Sequence, residues 1–441
     1  MGQYYGRGRV IGKPRISFCT ENPALIELDD SIIELARQEN LKPEQKKLLR
    51  TQFEGSNSRI RKLDQLIDRT KRTLGTLQPD TTLVMEEMDT ERETFILTRG
   101  QYDNPAGKVS PGFPEALPQT ESIEPTGNRL ELAYRLTSRE NPLLSRVTVN
   151  RWWNELFGTG LVNTPEDFGT QAEDPSHPQL LDWLASELMA SGWSMKHIHK
   201  TIVMSSTFQQ NSKITRELLE SDPNNRLLAR GPRFRLPAEL VRDNALAVSG
   251  LLSDKMFGPP IMPYQPDNLW RSVGRNQPKW KAAENEDRFR RGVYVVWKRA
   301  APYPSFINFD APDRGSCTVR RGRSNTPLQA LTLLNDPAYA EMALALADRV
   351  LCESPENDDE QRIDYAIRLT LARSASEKEI DLLRELLKRE RAAVKNNIET
   401  IEARTKTPFS DMKLKTNDKA ELAAWFAIAN VLLNLDETIS Q

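Results

Sequence analysis

Cysteine and histidine are scarce in this chain of 441 residues. The three cysteines, Cys19, Cys317 and Cys352, lie far apart and form no C-x-x-C pair. The sequence therefore offers neither a zinc knuckle nor a C-x-x-C-H haem attachment, while a single disulfide stays open. The three histidines, His177, His197 and His199, fall in one short region. Charge bias is missing as well. Lys plus Arg number 61 against 62 for Asp plus Glu, which leaves no global attraction to nucleic acid or to an anionic membrane and makes any anion site a local one. No apolar run approaches the roughly 18 residues of a membrane-spanning helix. The opening MGQYYGRGRV has no secretory apolar core, so either the chain is cytoplasmic or its natural beginning lies upstream. Internal repeats and low-complexity tracts are also lacking. Length, by contrast, suffices for two or three domains with a large core.

What is present reads as mainly α, in a large helical domain preceded by a helical hairpin and short β segments. Ile16 to Thr20 is a lone strand candidate, and a single strand needs partners. Residues 31–78 read as the hairpin: Ile60, Leu63, Ile67 and Leu74 recur with coiled-coil spacing, and Gly55 to Ser58 separates the two arms. In a connector over 79–122, Thr81 to Met85 and Thr94 to Leu97 are β-rich, and Gly100 to Pro118 reads as extended. A helical domain follows over 123–441. Asn141 caps a helix beginning at Pro142 and ending near Gly158, Pro178 to Ser191 forms the next and Ser194 caps another. Another spans Pro237 to about Leu252. GVYVVW, from Gly292 to Trp297, is the best strand candidate of the C-terminal half. Thr326 with Gln329 predicts a capping box opening a helix at Pro327, and Asp336 predicts a cap for the next. Ser376 with Glu379 predicts a second capping box on a helix running toward Arg404. A final amphipathic helix carries Leu422, Trp425, Phe426, Ala429 and Leu432.

Four groups carry candidate chemistry. Around Phe306 to Pro337, the cations Arg320, Arg321 and Arg323 lead through Asn325 and Thr326 into a helix start, an arrangement suited to an anion; Asp310 and Asp313 give the same arginines internal partners. Asn150, Arg151, Trp152 and Trp153 share one helix, where one indole faces the core and Arg151 or Asn150 a groove. The loop Thr164 to Pro178 holds Glu166, Asp167, Glu173, Asp174 and His177, raw material for acid and base work, although Thr164, Pro165 and Glu166 equally suit a helix cap. No metal-ligand spacing is met there. Glu239, Arg242 and Asp243 lie within ion-pair reach on one helix, free either to pair locally or to buttress the arginine loop. Cys317 lacks the partners of a catalytic thiol and is expected to be buried. His199 reads as a hydrogen-bonding residue rather than a catalyst.

In order, NPLLSRVTVNRWWNELFGTGLVNTPEDFG, DPSHPQLLDWLASELMASGWSMKHIHKTIVMS, FDAPDRGSCTVRRGRSNTPLQALTLLND and LLNLDETI closely resemble the planctomycete-type domain of unknown function 1553, also called the PSD-one domain, from about Asn128 to Ile439. Such proteins are typically exported and join this domain to a cytochrome-c-like haem module. The resemblance implies an extracytoplasmic (periplasmic or cell-surface) component linked to binding or degrading complex, often sulfated, polysaccharide. The alternative it leaves open is a non-catalytic scaffold that docks the haem module to a redox partner protein. IGKPRISFCTEN resembles the closing strand of a β-sandwich, so residues 1–30 are expected to be its remnant and the chain a truncated piece. Haem c would then belong to the upstream part, with no cofactor in this chain. On the glycan reading, Arg320, Arg321, Arg323, Asn325, Thr326, Arg151 and Arg314 are the expected anion or glycan contacts, and Asp167, His177 and Asp310 the neighbouring polar groups.

Overall fold

The computed structural model describes residues 30–77, 81–86, 88–90, 92–118, 127–265, 280–354, 358–395, 397–406, 412 and 414–440. The strand expected at Ile16 to Thr20 lies outside these residues. The fold is mainly α, with sixteen α-helices and one two-stranded sheet among the described residues. The chain divides into two compact units, residues 1–89 and 90–441.

The first unit contains α1 (Asp30–Ala36), α2 (Pro43–Ser56) and α3 (Ser58–Thr76). Asn57 breaks the backbone between α2 and α3, and its side chain then caps α3 by accepting from the Arg59 and Ile60 N–H groups. None of the residues with a described burial in these helices is buried. Residues 81–85 are not a strand, which corrects the expectation: Leu83, Val84 and Met85 stand exposed, with no neighbouring backbone to pair with among the described residues.

The second unit opens with β1 (Thr94–Leu97) against β2 (Pro105–Val109), antiparallel, with Thr94 opposite Val109 and Phe95 opposite Lys108. The partner strand thus lies in the stretch expected to be merely extended. Helices follow: α4 (Arg129–Thr137), α5 (Leu144–Phe157), α6 (Pro178–Ala190), α7 (Met195–Val203), α8 (Arg216–Ser221), α9 (Ala238–Val248), α10 (Pro304–Asn308), α11 (Pro327–Asn335), α12 (Pro337–Glu353), α13 (Asp359–Leu371), α14 (Glu377–Val394), α15 (Ile398–Thr405) and α16 (Lys419–Leu433). The expected caps at Ser194, Asp336 and Ser376 accept backbone N–H groups; Asn141 accepts the Leu143 and Leu144 N–H groups, but the helix begins at Leu144 rather than Pro142, with Leu143 at its cap position.

Four expectations change. GVYVVW is a 3-10 turn followed by a single bridge from Val295 to Ile261. Asp243 fixes the Gly292 N–H at 2.6 Å, and a Cβ on Gly292 would meet the Glu239 backbone at 3.0 Å, so the run turns against α9 instead of extending. The helix from Ser376 stops at Val394, because Asn397 caps α15 by accepting the Thr400 N–H. The final helix is not a one-sided amphipath, since Leu422 through Trp425 are four consecutive buried residues. Such all-round burial places α16 inside the core rather than on its surface. Cys317 is exposed, and its thiol is free.

Two apolar cores result. The larger joins α9 through α14 with α16, and its most extensive helix pair is α12 with α16. Alanines on both helices, Ala343 and Ala347 of α12 and Ala423 and Ala424 of α16, are essentially solvent-free. The smaller core gathers Val149, Trp153 and Phe157 of α5 with Leu181, Leu184 and Leu188 of α6 and Ile198 and Ile202 of α7. Asn150 is buried beside it and pins the following loop, accepting the Val162 N–H at 2.9 Å and donating to the Val162 carbonyl at 3.0 Å.

Charge inside the larger core is met by a carboxylate or by backbone carbonyls. Arg288 meets Glu341 at 2.9 Å with both side chains under 5% exposed. Arg242 donates to the Arg288 and Arg290 carbonyls. At the surface, Arg373 bridges Glu379 and Glu437, each at 2.7 Å, and ties the C-terminal turn to α14.

Two outcomes follow. Glu341→Ala, by taking the carboxylate from a buried guanidinium that keeps only backbone-carbonyl partners such as Glu284 and Asn285, should cost about 3 kcal/mol in urea unfolding. The Arg373 guanidinium, helped by Ser376, holds the Glu379 carboxyl down from 4.5 to about 2. A folded pKa below the unfolded one means that the pair's contribution is complete above about 4.5 and is lost as pH falls through about 2. Because the pair is about one-third exposed, solvent screening limits it to about 1 kcal/mol or less. Glu379→Gln, which keeps the capping box, should be less stable than wild type by that amount at pH 7, and the difference should shrink as pH falls toward 2 and vanish below it.

Candidate functional site

Three segments meet at one cleft. α5 ends at Phe157 because Gly158 takes the left-handed conformation (φ 77°) that closes a helix at low steric cost. The segment before α9 runs extended, since Leu236 donates to the Ile439 carbonyl and Arg235 bridges to Ser440. The loop before α11 is tied by Asp310, whose carboxylate accepts the Ser324 N–H at 2.7 Å and the Ser324 hydroxyl at 2.8 Å. Asp310 itself sits at φ 59°, a conformation that Asp tolerates better than most residues.

The cleft has a volume of about 380 Å³, and four arginines, Arg235, Arg320, Arg321 and Arg323, line it against two carboxylates, Glu155 and Asp310. Each arginine is held differently. Arg323 donates to the Gly158 carbonyl at 3.0 Å and lies over the Phe234 ring, 4.1 Å from its centroid. It therefore acts as the cation at the C-terminal end of α5, where the helix dipole favours positive charge. Burial lowers its pKa and the Arg320 charge pushes the same way, while Glu155 opposes them; a guanidinium stays charged regardless. Arg321 pairs with Glu239 at 2.7 Å, and Arg314 joins the same carboxylate at 3.8 Å while lying over Trp297. Arg235 donates to the Asn325 side chain at 2.9 Å and approaches Asp436 at 3.4 Å. Arg320 is exposed and makes no ion pair among the described residues.

The sequence-derived candidates distribute unevenly. Arg320, Arg321, Arg323 and Asp310 share the cleft wall. Arg314 reaches it only through Glu239, and Asn325 is occupied by Arg235. The expected capping box at Thr326 does not form: its side chain makes no cap bond, and the Gln329 amide donates to Ser324 instead. The helix start in the cleft wall is that of α9, at Pro237 and Ala238, rather than that of α11. Arg151 is exposed on α5 outside the wall. Asp167 closes a turn onto the Gly169 N–H, and Thr164 donates to the Asp167 carbonyl, so these residues form a turn rather than the expected helix cap. His177 contacts Ser176 at 3.1 Å and lies outside the wall too. His199 is half-buried, its ring edge against Trp152. Of the Glu239, Arg242 and Asp243 set, Glu239 buttresses the arginine loop while Arg242 turns into the core.

Residues missed in the sequence are Glu155, Gly158, Phe234 and Arg235. Gly158 carried a readable signal as a helix stop, but nothing local tied it to a loop 165 residues away. A mainly α domain with an arginine-lined cleft is the class so defined. The chain belongs to the family described as PSD1: Protein of unknown function (DUF1553), whose model matches residues 128–387. No curated protein and no solved structure matches it.

A Cβ on Gly158 would lie 2.7 Å from Phe234 Cδ1 and 3.1 Å from Arg323 Nη1. Gly158→Ala should therefore cost about 1–2 kcal/mol from the backbone alone, with a further loss as Phe234 and Arg323 shift. Thermal unfolding measures the first effect, and a crystal structure of the variant would show the second.

Proposed function

We propose that this chain is an extracytoplasmic component in the binding or degradation of complex polysaccharide, and that its cleft receives a sulfate or carboxylate group carried on a saccharide. The carrying observation is Arg320, a cation without an ion pair among the described residues, lining the same wall as Arg323. Two like charges in one cleft repel, and an anion between them removes the repulsion while gaining charge-assisted hydrogen bonds. The α9 start adds the partial positive charge of a helix N-terminus to the same wall. Phe309, Val319, Leu236 and Pro237 supply apolar surface for the non-polar face of a sugar ring.

A second reading draws on the other arginines. Arg314 and Arg321 share Glu239, and Asp310 is spent on Ser324, which is how a loop is fixed in a scaffold that docks a cytochrome-c-like module to a redox partner. The two readings assign different residues. Binding rests on Arg320 and Arg323, and loop fixation on Glu239, Arg314 and Arg321.

Calorimetric titration with sulfated and neutral oligosaccharides of equal length separates them. The sulfated ligand should bind more tightly, its affinity should fall with added salt, and Arg320→Ala should weaken it about tenfold, near 1.4 kcal/mol. Equal binding of both ligands, or full affinity in Arg320→Ala, would overturn the binding reading.

A further inference from the structure

We propose that α3 joins two copies of this chain as a parallel two-stranded coiled coil. Over residues 59–77 the apolar positions repeat in the three-and-four pattern of a heptad. Ile60, Ile67 and Leu74 occupy one core position, and Leu63, Thr70 and Leu77 the other. The other positions from Arg61 to Arg72 are charged or polar except Leu66, which flanks the seam and is 58% exposed. Among the described residues most of this seam is uncovered: Leu63, Ile67, Leu74 and Leu77 are between 47% and 68% exposed, and Ile60 is half-buried. Thr70, the one polar seam residue, has its hydroxyl satisfied by the Leu66 carbonyl at 2.8 Å, which leaves its methyl available to pack.

A helix of 19 residues spans about 28 Å, and without tertiary burial such a length is marginal in water. The occupant that fits is a second copy, for two reasons that the residues themselves carry. Ile60 with Leu63 is the combination that favours parallel pairs, and Ile67 repeats its first position. In that register Arg59, just before the first seam residue, faces Asp64 of the other copy, and the two-fold axis repeats the attraction on the opposite side. Arg59 and Asp64 make no ion pair with any described residue, and five positions apart on one helix they do not reach each other. The charge pattern is thus self-complementary and left unused within one copy.

Sedimentation velocity on the full chain, over a range of concentrations, tests this. The wild type should show a concentration-dependent dimer, and Leu63→Glu with Ile67→Glu should be monomeric. Near-ultraviolet circular dichroism should be unchanged in that variant, since all eight tryptophans lie beyond residue 90. Arg59→Glu or Asp64→Arg alone should weaken association about threefold to tenfold, and the two together should restore it. A wild type that remains monomeric overturns the proposal. So does a dimer that ignores Arg59→Glu but responds to Lys71→Glu, because that result places Lys71 opposite Asp64 in an antiparallel pair.

Discussion

Helix α12 is enclosed on every side, and the second unit depends on that enclosure. Eight consecutive residues, Glu341 to Asp348, are buried, so no face of this turn pair is left for water. α16 is its most extensive helical partner, and dispersion contacts accumulate over the length of both helices. The two acids within the buried run are each satisfied: Glu341 by Arg288, Asp348 by the Lys415 and Thr416 N–H groups. An enclosed helix tolerates charge only under that condition. α9 and α11 take their positions from this body, and with them Glu239 and the loop before α11.

The arginines of that loop show how one sequence cluster divides into unlike duties. Arg321 and Arg314 share a single carboxylate, Arg323 caps a helix, and Arg320 is left facing solvent. Proximity in sequence says little about which duty falls to which residue, because each partner comes from a different element. Arg235, absent from the cluster, stands in the same wall through the backbone pairing of its segment with the C-terminus.

Helix existence was largely legible because it is written locally, in caps such as Ser194, Asp336 and Ser376 and in spacings such as Leu181, Leu184 and Leu188. The errors fall where tertiary contacts override local preference. GVYVVW is apolar and β-branched, yet a carboxylate on α9 captures Gly292 and the ladder never extends. Thr326 and Gln329 have the right spacing for a capping box, but Ser324 takes the Gln329 amide. The site was half legible: Arg320, Arg321, Arg323 and Asp310 announce themselves by composition, whereas Gly158 and Phe234 join them only through folding.

The cleft also marks a boundary. Its Glu155 and Gly158 wall belongs with the smaller core of α5 to α7, and its Ala238 and Phe309 wall with the larger core. Separately packed bodies shear past one another more readily than either deforms internally. The Arg323 bond to the Gly158 carbonyl crosses this line, so the residue that would grip a ligand is also a rivet between two bodies, and occupancy of the cleft and the stiffness of the whole unit become one coupled quantity.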